Sequence, residues 1–423
     1  MSQEISSRNS QRGAVAIIVG LALAVLVGFA GLAIDLGRLY VNKTELQNAA
    51  DACALAASRE LTCSAAPCPA SNLLNAQAAG IYVAGRDSRD LQSSAVSIDV
   101  ADVEFSTTLA PNSSYRSIAG GANPASKYVM CTARSTGLLP WFMGVLGIGA
   151  QNVSASAVAT LTAAQSNCGI PMALCSKGPA PSYGLTVGQW YGGRQDASGG
   201  ASGNFNWVDF TPPSGGANEL KDLLSGTGVC NMNVTNPVGQ TGMNQGAVSA
   251  FNSRFGLYKG GGGNPQIGDA PPDYSGFAYT STAVVGGTPN TWPAGSNALN
   301  DFLSKRNSNA PYGSTTRAGN TATGLSIPTS YSPTQAAALA TQGADRRLVT
   351  SPIVDCAGWS GGATTTPIQA WACVLLLHPI DGPTSKVFFE YRGLSSDPSS
   401  PCATSGAVGG PGSVGPQVPA LVQ

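Results

Sequence analysis

AVAIIVGLALAVLVGFAGLAI, residues 14–34, is an unbroken apolar run, and the rest of the chain is read outward from it. At about 1.5 Å rise per residue, a helix of this length spans roughly 30 Å, the thickness of a bilayer's hydrocarbon core. Arg8 and Arg12 stand before the run and Asp35 is the first charge after it. By the positive-inside rule, residues 1–13 form a cytoplasmic stub, 14–34 a transmembrane helix, and the remainder is exported. Gly31-Leu32-Ala33 would suit signal-peptide cleavage, but the run is longer than the roughly 7–15 residues of a signal core. The helical pattern also continues beyond it, which favours a retained anchor.

Leu36, Leu39, Leu46, Ala50, Cys53 and Ala57 carry three-and-four spacing outward from Asp35, and no Gly or Pro interrupts residues 38–64. A single helix over about 14–61 follows, apolar in its first half and amphipathic in its second. Ala16, Gly20, Ala24 and Gly28 recur every four residues in the first half, a face on which another helix could pack closely in lipid. A second helix is predicted over 71–86. Strands are predicted over 95–106 (with a bulge), 127–134 and 152–162. LLPWFMGVLGI, residues 138–148, is either a core-filling loop or a second membrane-contacting patch. Beyond 163, residues 349–354, 368–377 and 386–392 read as strands and 219–224 as a short helix. The fold class is therefore α+β: one long N-terminal helix with a small antiparallel sheet over 35–163, then a β-rich, loop-heavy exported domain over 164–398. The Pro-, Gly- and Ser-rich residues 399–423 read as a disordered tail.

Lys+Arg and Asp+Glu are equal in number and the chain has one histidine, His378. No basic patch points to nucleic acid, and nothing points to a small-molecule substrate, cofactor or metal. Ten cysteines without a CxxC pair suit an oxidising compartment. Short loops suggest the disulfides Cys63–Cys68 and Cys168–Cys175. Cys356–Cys373 would bridge what read as neighbouring strands. Cys53 either reaches Cys131 or stays free as a small buried apolar residue.

Gly358-Trp-Ser360-Gly-Gly362 fits the G-x-S-x-G elbow of a serine hydrolase. The elbow needs a helix directly after its serine, whereas Ala363-Thr-Thr-Thr-Pro367 starts helices poorly. His378 also precedes Asp381, against that fold's order of Ser, Asp/Glu, His. An exported hydrolase using Ser360 is the alternative reading, with no catalytic residue expected in the favoured one. His378 reads as a surface residue at a strand end.

Arg12-Gly13-Ala14-Val15, the Gly-interrupted apolar run, the Ile34-Asp35-Leu36-Gly37-Arg38 exit and Leu46-Gln-Asn-Ala-Ala-Asp-Ala52 together resemble TadE/TadG-like proteins of the Flp (tight-adherence, Tad) pilus-assembly system. More loosely, four later segments are similar to the exported part of TadG-like proteins: Cys168-Gly-Ile-Pro171, Gly203–Asp209, Asn244–Phe255 (ending Asn252-Ser-Arg-Phe255) and Arg346–Cys356. The resemblance implies a pilin-like long helix in a single-pass inner-membrane protein with its bulk in the periplasm or at the surface. It would be a non-catalytic protein that assists pilus assembly, anchoring or adhesion. Its partners would be the lipid bilayer and other pilus-assembly membrane proteins or pilin-like subunits. Two departures stand out. Ile18 occupies the position where prepilin processing after Gly13 expects a glutamate. The metal-dependent adhesion motif DxSxS is incomplete at both Asp196 and Asp397.

Overall fold

The computed structural model describes residues 11–63, 67–194, 204–210, 216–226, 228, 230, 238–241, 245–279, 297–313, 325, 327–356, 367–380, 387–410 and 412–422. It divides the chain into two compact units, residues 1–162 with 418–423 and residues 163–417.

The first unit is built on α1 (Gln11–Arg59), a single 49-residue helix. From Val15 to Phe29 its apolar side chains are exposed. From Leu46 onward one stripe, Leu46, Ala49, Ala50, Cys53, Ala54 and Ala57, is fully buried. The stripe is mostly alanine, so neighbouring elements approach closely. On α2 (Ser71–Ala84), a Cβ added at Gly80 would lie 3.0 Å from the Cys53 carbonyl oxygen and 3.1 Å from the Ala57 methyl. Glycine fits at that distance, where any side chain would force its neighbours to give by a few tenths of an ångström.

Against the same stripe lies an antiparallel sheet of β1 (Val103–Ser106), β2 (Arg116–Ser117), β3 (Tyr128–Leu138) and β4 (Gln151–Ser166), in the order β4-β3-β1-β2. Register sets Val103 opposite Cys131 and Cys131 opposite Ala157. The row continues through Phe105, Val129 and Ala159, all buried against the helices. Cys53 is bonded to Cys131, with Cα atoms 6.1 Å apart, which ties α1 to the middle of the sheet. Cys63–Cys68 also forms.

Two local expectations change. The strand expected over 95–106 is interrupted: Ser94–Ala95 pairs with Ser88–Arg89. The Asp99 carboxylate then accepts the Ala101 amide at 2.8 Å and starts a short 3-10 turn, and the strand resumes at Val103. Residues 399–423 are not a disordered tail. Ala403–Val408 pairs with the end of β4 within the second unit, and Gln417–Leu421 pairs with β4, the Val422 amide donating to the Val158 carbonyl. Cys402 is bonded to Cys373, and the apolar residues of the closing QVPALV segment find an open strand edge, which composition alone does not reveal.

The second unit holds a five-stranded sheet of β5 (Leu174–Cys175), β6 (Trp190–Arg194), β7 (Leu348–Val354), β8 (Ile368–Leu376) and β9 (Val387–Leu394), in the order β5-β7-β8-β9-β6. Only the β5–β7 pair is parallel. Every residue of β7 is buried, as expected of a strand covered on both faces. On β8, Ala372, Val374 and Leu376 join a core with Ala247, Ala250 and Phe251 of α3 (Gln245–Ser253). Cys373 and Leu375 face the other way, toward Leu299 and Phe302 of α4 (Leu299–Asn307).

That alternation also corrects the disulfides. Cys168 is bonded to Cys230, Cys175 to Cys356, and Cys373 to Cys402, so neither Cys168–Cys175 nor Cys356–Cys373 forms. Val354 lies beside Cys175 in parallel register, which brings Cys356 to that edge, whereas Cys373 sits opposite Thr350 within the sheet and packs with Cys402.

Candidate functional site

The charged residues that follow the apolar half of α1 fasten three segments together. Asp35 is buried, and its carboxylate accepts the backbone amides of Trp141 at 2.8 Å, Phe142 at 2.8 Å and Met143 at 2.6 Å. These amides belong to the tip of the β3–β4 hairpin, where a 3-10 turn spans Met143–Leu146. Burial opposes ionisation of Asp35. The three amides, with Arg38 nearby, outweigh it and hold the carboxyl below its ordinary range.

One turn along the helix, Arg38 donates to both carboxylate oxygens of Asp90, at 2.8 and 2.9 Å, and to the Leu139 carbonyl at 2.9 Å. Its guanidinium lies 4.6 Å from the centre of the Trp141 ring. The bond from Arg38 keeps the Asp90 carboxyl below its usual range. Asp90, Leu91 and Gln92 all have positive φ, from 54° to 65°, a conformation that costs non-glycine residues energy unless the surroundings impose it. Here α1 imposes it. Arg38 holds Asp90, while Glu45 accepts the Leu91 amide and the Gln92 side-chain amide.

The hairpin tip also packs onto the apolar half of α1. A Cβ added at Gly31 would come within 2.7 Å of the Phe142 Cβ, so Gly31 is the seat on which Phe142 rests. Further back, Ala24, Val27 and Gly28 border a groove whose other wall is Phe142, Met143 and Val145. Of the face Ala16, Gly20, Ala24 and Gly28, the last two border that groove, and a Cβ built on either Gly20 or Gly28 meets nothing within 4 Å.

In the second unit, the sequence segments singled out there converge on buried polar packing. Arg254 is fully buried and donates to the carbonyls of Leu223, Leu224 and Gly226, which end the helix Ala217–Ser225, and to that of Arg346. Arg346 also donates to Leu224 and Ser225. Together they satisfy carbonyls that a helix end leaves without partners. Arg347 stacks between the Phe255 and Phe302 rings and donates to the carbonyls of Ser275, Phe277, Leu376 and Leu377. Burial brings both Arg346 and Arg347 down to about 10, so they remain charged at neutral pH. Asp273 is the buried counter-charge, bound to Arg306 and to the amides of Arg346 and Arg347. Because most donors of Arg254, Arg346 and Arg347 end on main-chain carbonyls, these guanidinium groups hold loops together.

His378 is buried, not at the surface. The Phe388 amide donates to its Nε2, and its Nδ1 lies 2.9 Å from the Pro379 carbonyl oxygen. Ser360, Asp381 and Asp196 lie outside the described residues. Among the described residues no three His, Cys, Asp or Glu side chains gather into a metal-binding group.

Fold and site together define an α+β protein carried on one N-terminal helix that is long and apolar enough to cross a membrane. Residues 13–66 match the family model described as "Putative Flp pilus-assembly TadE/G-like", so that segment is similar to TadE/TadG-like proteins. The matched segment contains Gly31, Asp35 and Arg38. No curated protein and no solved structure matches the chain. Asp90 and the hairpin tip are contributors that the sequence does not pair with the helix exit. The one signal available was the clustering of Asp35 and Arg38 directly after an apolar run.

Proposed function

We propose that the protein is a non-catalytic, single-span component of Flp pilus assembly. In this reading it is held in the bacterial inner membrane by residues 14–34, with its N-terminus in the cytoplasm and both folded units in the periplasm. The observation that carries the reading is the coincidence of the family match with α1, whose exposed apolar half passes without a break into a packed, disulfide-tied half. Such a helix transmits position from the bilayer to a folded body without needing a reactive centre. Its partners are other membrane helices of the assembly apparatus or pilin-like subunits, which pack on the open side around Ala16 and Gly20.

A deletion strain complemented with the wild-type gene or with Ser360→Ala tests the role. Loss of surface pili on deletion, restored equally by both genes, is the expected result. Unchanged piliation on deletion, or rescue by wild type but not by Ser360→Ala, would contradict it.

A further inference from the structure

We propose that the β3–β4 hairpin tip, residues 139–148, is a second membrane anchor that enters the same leaflet as the end of the apolar helix, with lipid acyl chains covering its outer face. The inference rests on α1 spanning the bilayer. Four observations converge on lipid as the occupant.

The first is exposure. Leu139 (69 %), Trp141 (57 %) and Val145 (92 %) are open, with Phe142 and Ile148 partly so. A contiguous apolar patch of this kind on a folded surface marks a contact site.

The second is position. The patch adjoins the apolar half of α1 itself, with Phe142 on Gly31 and the shared groove reaching back to Ala24. Ala24 precedes Ile34 by ten residues, or about 15 Å of helix axis, which is roughly half of the hydrocarbon core. A side chain bordering that groove lies at the depth of acyl chains whenever the helix spans.

The third is charge. No Asp, Glu, Lys or Arg occurs between Arg134 and Lys177, so the whole hairpin tip can enter an apolar medium. Arg38, stacked on Trp141, stands at the level where the helix leaves lipid, and Trp is favoured at that boundary.

The fourth is the backbone. Irregular chain is excluded from hydrocarbon unless its polar groups are satisfied within the protein. Here the Trp141, Phe142 and Met143 amides end on Asp35. The Val145, Gly147 and Ile148 amides end on Phe142, Gly144 and Met143 carbonyls, and the Leu139 carbonyl accepts from Arg38. The buried Asp35 carboxylate thereby acquires a purpose, which is to supply acceptors to a loop that water does not reach. Two insertions side by side fix the rotation and tilt of the first unit on the membrane, which one helix alone leaves free.

The full chain in phospholipid nanodiscs tests this. Single cysteines replace Val145, Val27 on the apolar half of α1, or Val100 on the first unit's water-facing surface. All three parent side chains are exposed, so folding tolerates the change. After confirming one free thiol per chain, an environment-sensitive fluorophore is attached and lipids bearing a mid-chain nitroxide are added. The expected result is blue-shifted emission and loss of most of the signal to the nitroxide at positions 145 and 27, with neither at 100. Quenching at 27 without quenching at 145 would overturn the hairpin anchor and leave the spanning helix standing. Quenching at neither would overturn both. A disulfide-linked dimer through Val145→Cys, without quenching, would assign the patch to a second copy of this chain and equally overturn the proposal.

Discussion

The two halves of α1 are one continuous helix with opposite relations to their surroundings. Residues 15–29 present large apolar side chains around the helix except on the Ala16, Gly20, Ala24, Gly28 face, and bury almost none of them. Residues 46–57 present small side chains on one stripe and bury them completely against α2 and the sheet. Leu, Ile and Val suit a surface whose neighbour is fluid lipid, because size rather than fit sets transfer energy there. Alanine suits a surface whose neighbours are fixed, because backbone approach and dispersion contact then dominate. Between the halves, Asp35 and Arg38 hold the hairpin and the 90–92 turn, so the junction is itself a built site.

The packed half should be the more fragile. Replacing Cys53 and Cys131 together with alanine removes a link across 78 residues and should destabilise the first unit by about 4 kcal/mol through the greater freedom of the unfolded chain. Thermal unfolding in detergent reads this, and carbonate extraction of membranes should show the anchor half unaffected. Gly80→Val should cost roughly 1–3 kcal/mol, because its new side chain meets the Cys53 main chain, which cannot yield. An equal cost for Gly20→Val, where a Cβ meets nothing, would erase the distinction between the halves.

At the junction the same contrast applies to Gly31 and Gly20. Gly31→Leu should unseat Phe142 and speed amide exchange across residues 141–148 by about tenfold, the equivalent of ~1.4 kcal/mol. Gly20→Leu should leave those rates as they are.

The smallest effect is that of pH. Asp35 and Asp90 both have carboxyls depressed in the folded state, so their contribution is fully present above the ordinary carboxylate value of about 3.9. It is lost as pH falls through their lower folded values. Near-UV dichroism of the first unit should therefore change below about pH 4, and less so in an Asp35→Asn, Asp90→Asn variant, whose junction no longer titrates.

Much of the fold was legible because it is written in local period. The 21-residue run, the three-and-four spacing from Leu36 to Ala57 and the alternation along 152–162 each specify an element from its own residues. The strands over 349–354, 368–377 and 386–392 were read within two residues of their observed bounds for the same reason. What escaped is written between distant residues. The partners of Cys168, Cys175, Cys356 and Cys373 depend on strand order and on which face of β8 each side chain takes, neither of which spacing supplies. The closing strand was masked by the composition of the segment before it. At the site, Asp35 and Arg38 were visible as part of a family-like exit, but Asp90, 52 residues beyond Arg38, was not. The hairpin tip could be read as either core or membrane contact, because apolarity alone does not say which solvent a loop will meet.

The central claim is that the two halves of α1 occupy different media, and thiol accessibility tests it most directly. Val27 and Tyr40 are similarly open in the structure, at 65 % and 78 % exposure, so protein packing shields neither. In spheroplasts carrying the full chain as Val27→Cys or Tyr40→Cys, a membrane-impermeant maleimide should label position 40 and leave position 27 unlabelled until detergent is added. Equal labelling of both positions without detergent would contradict the account.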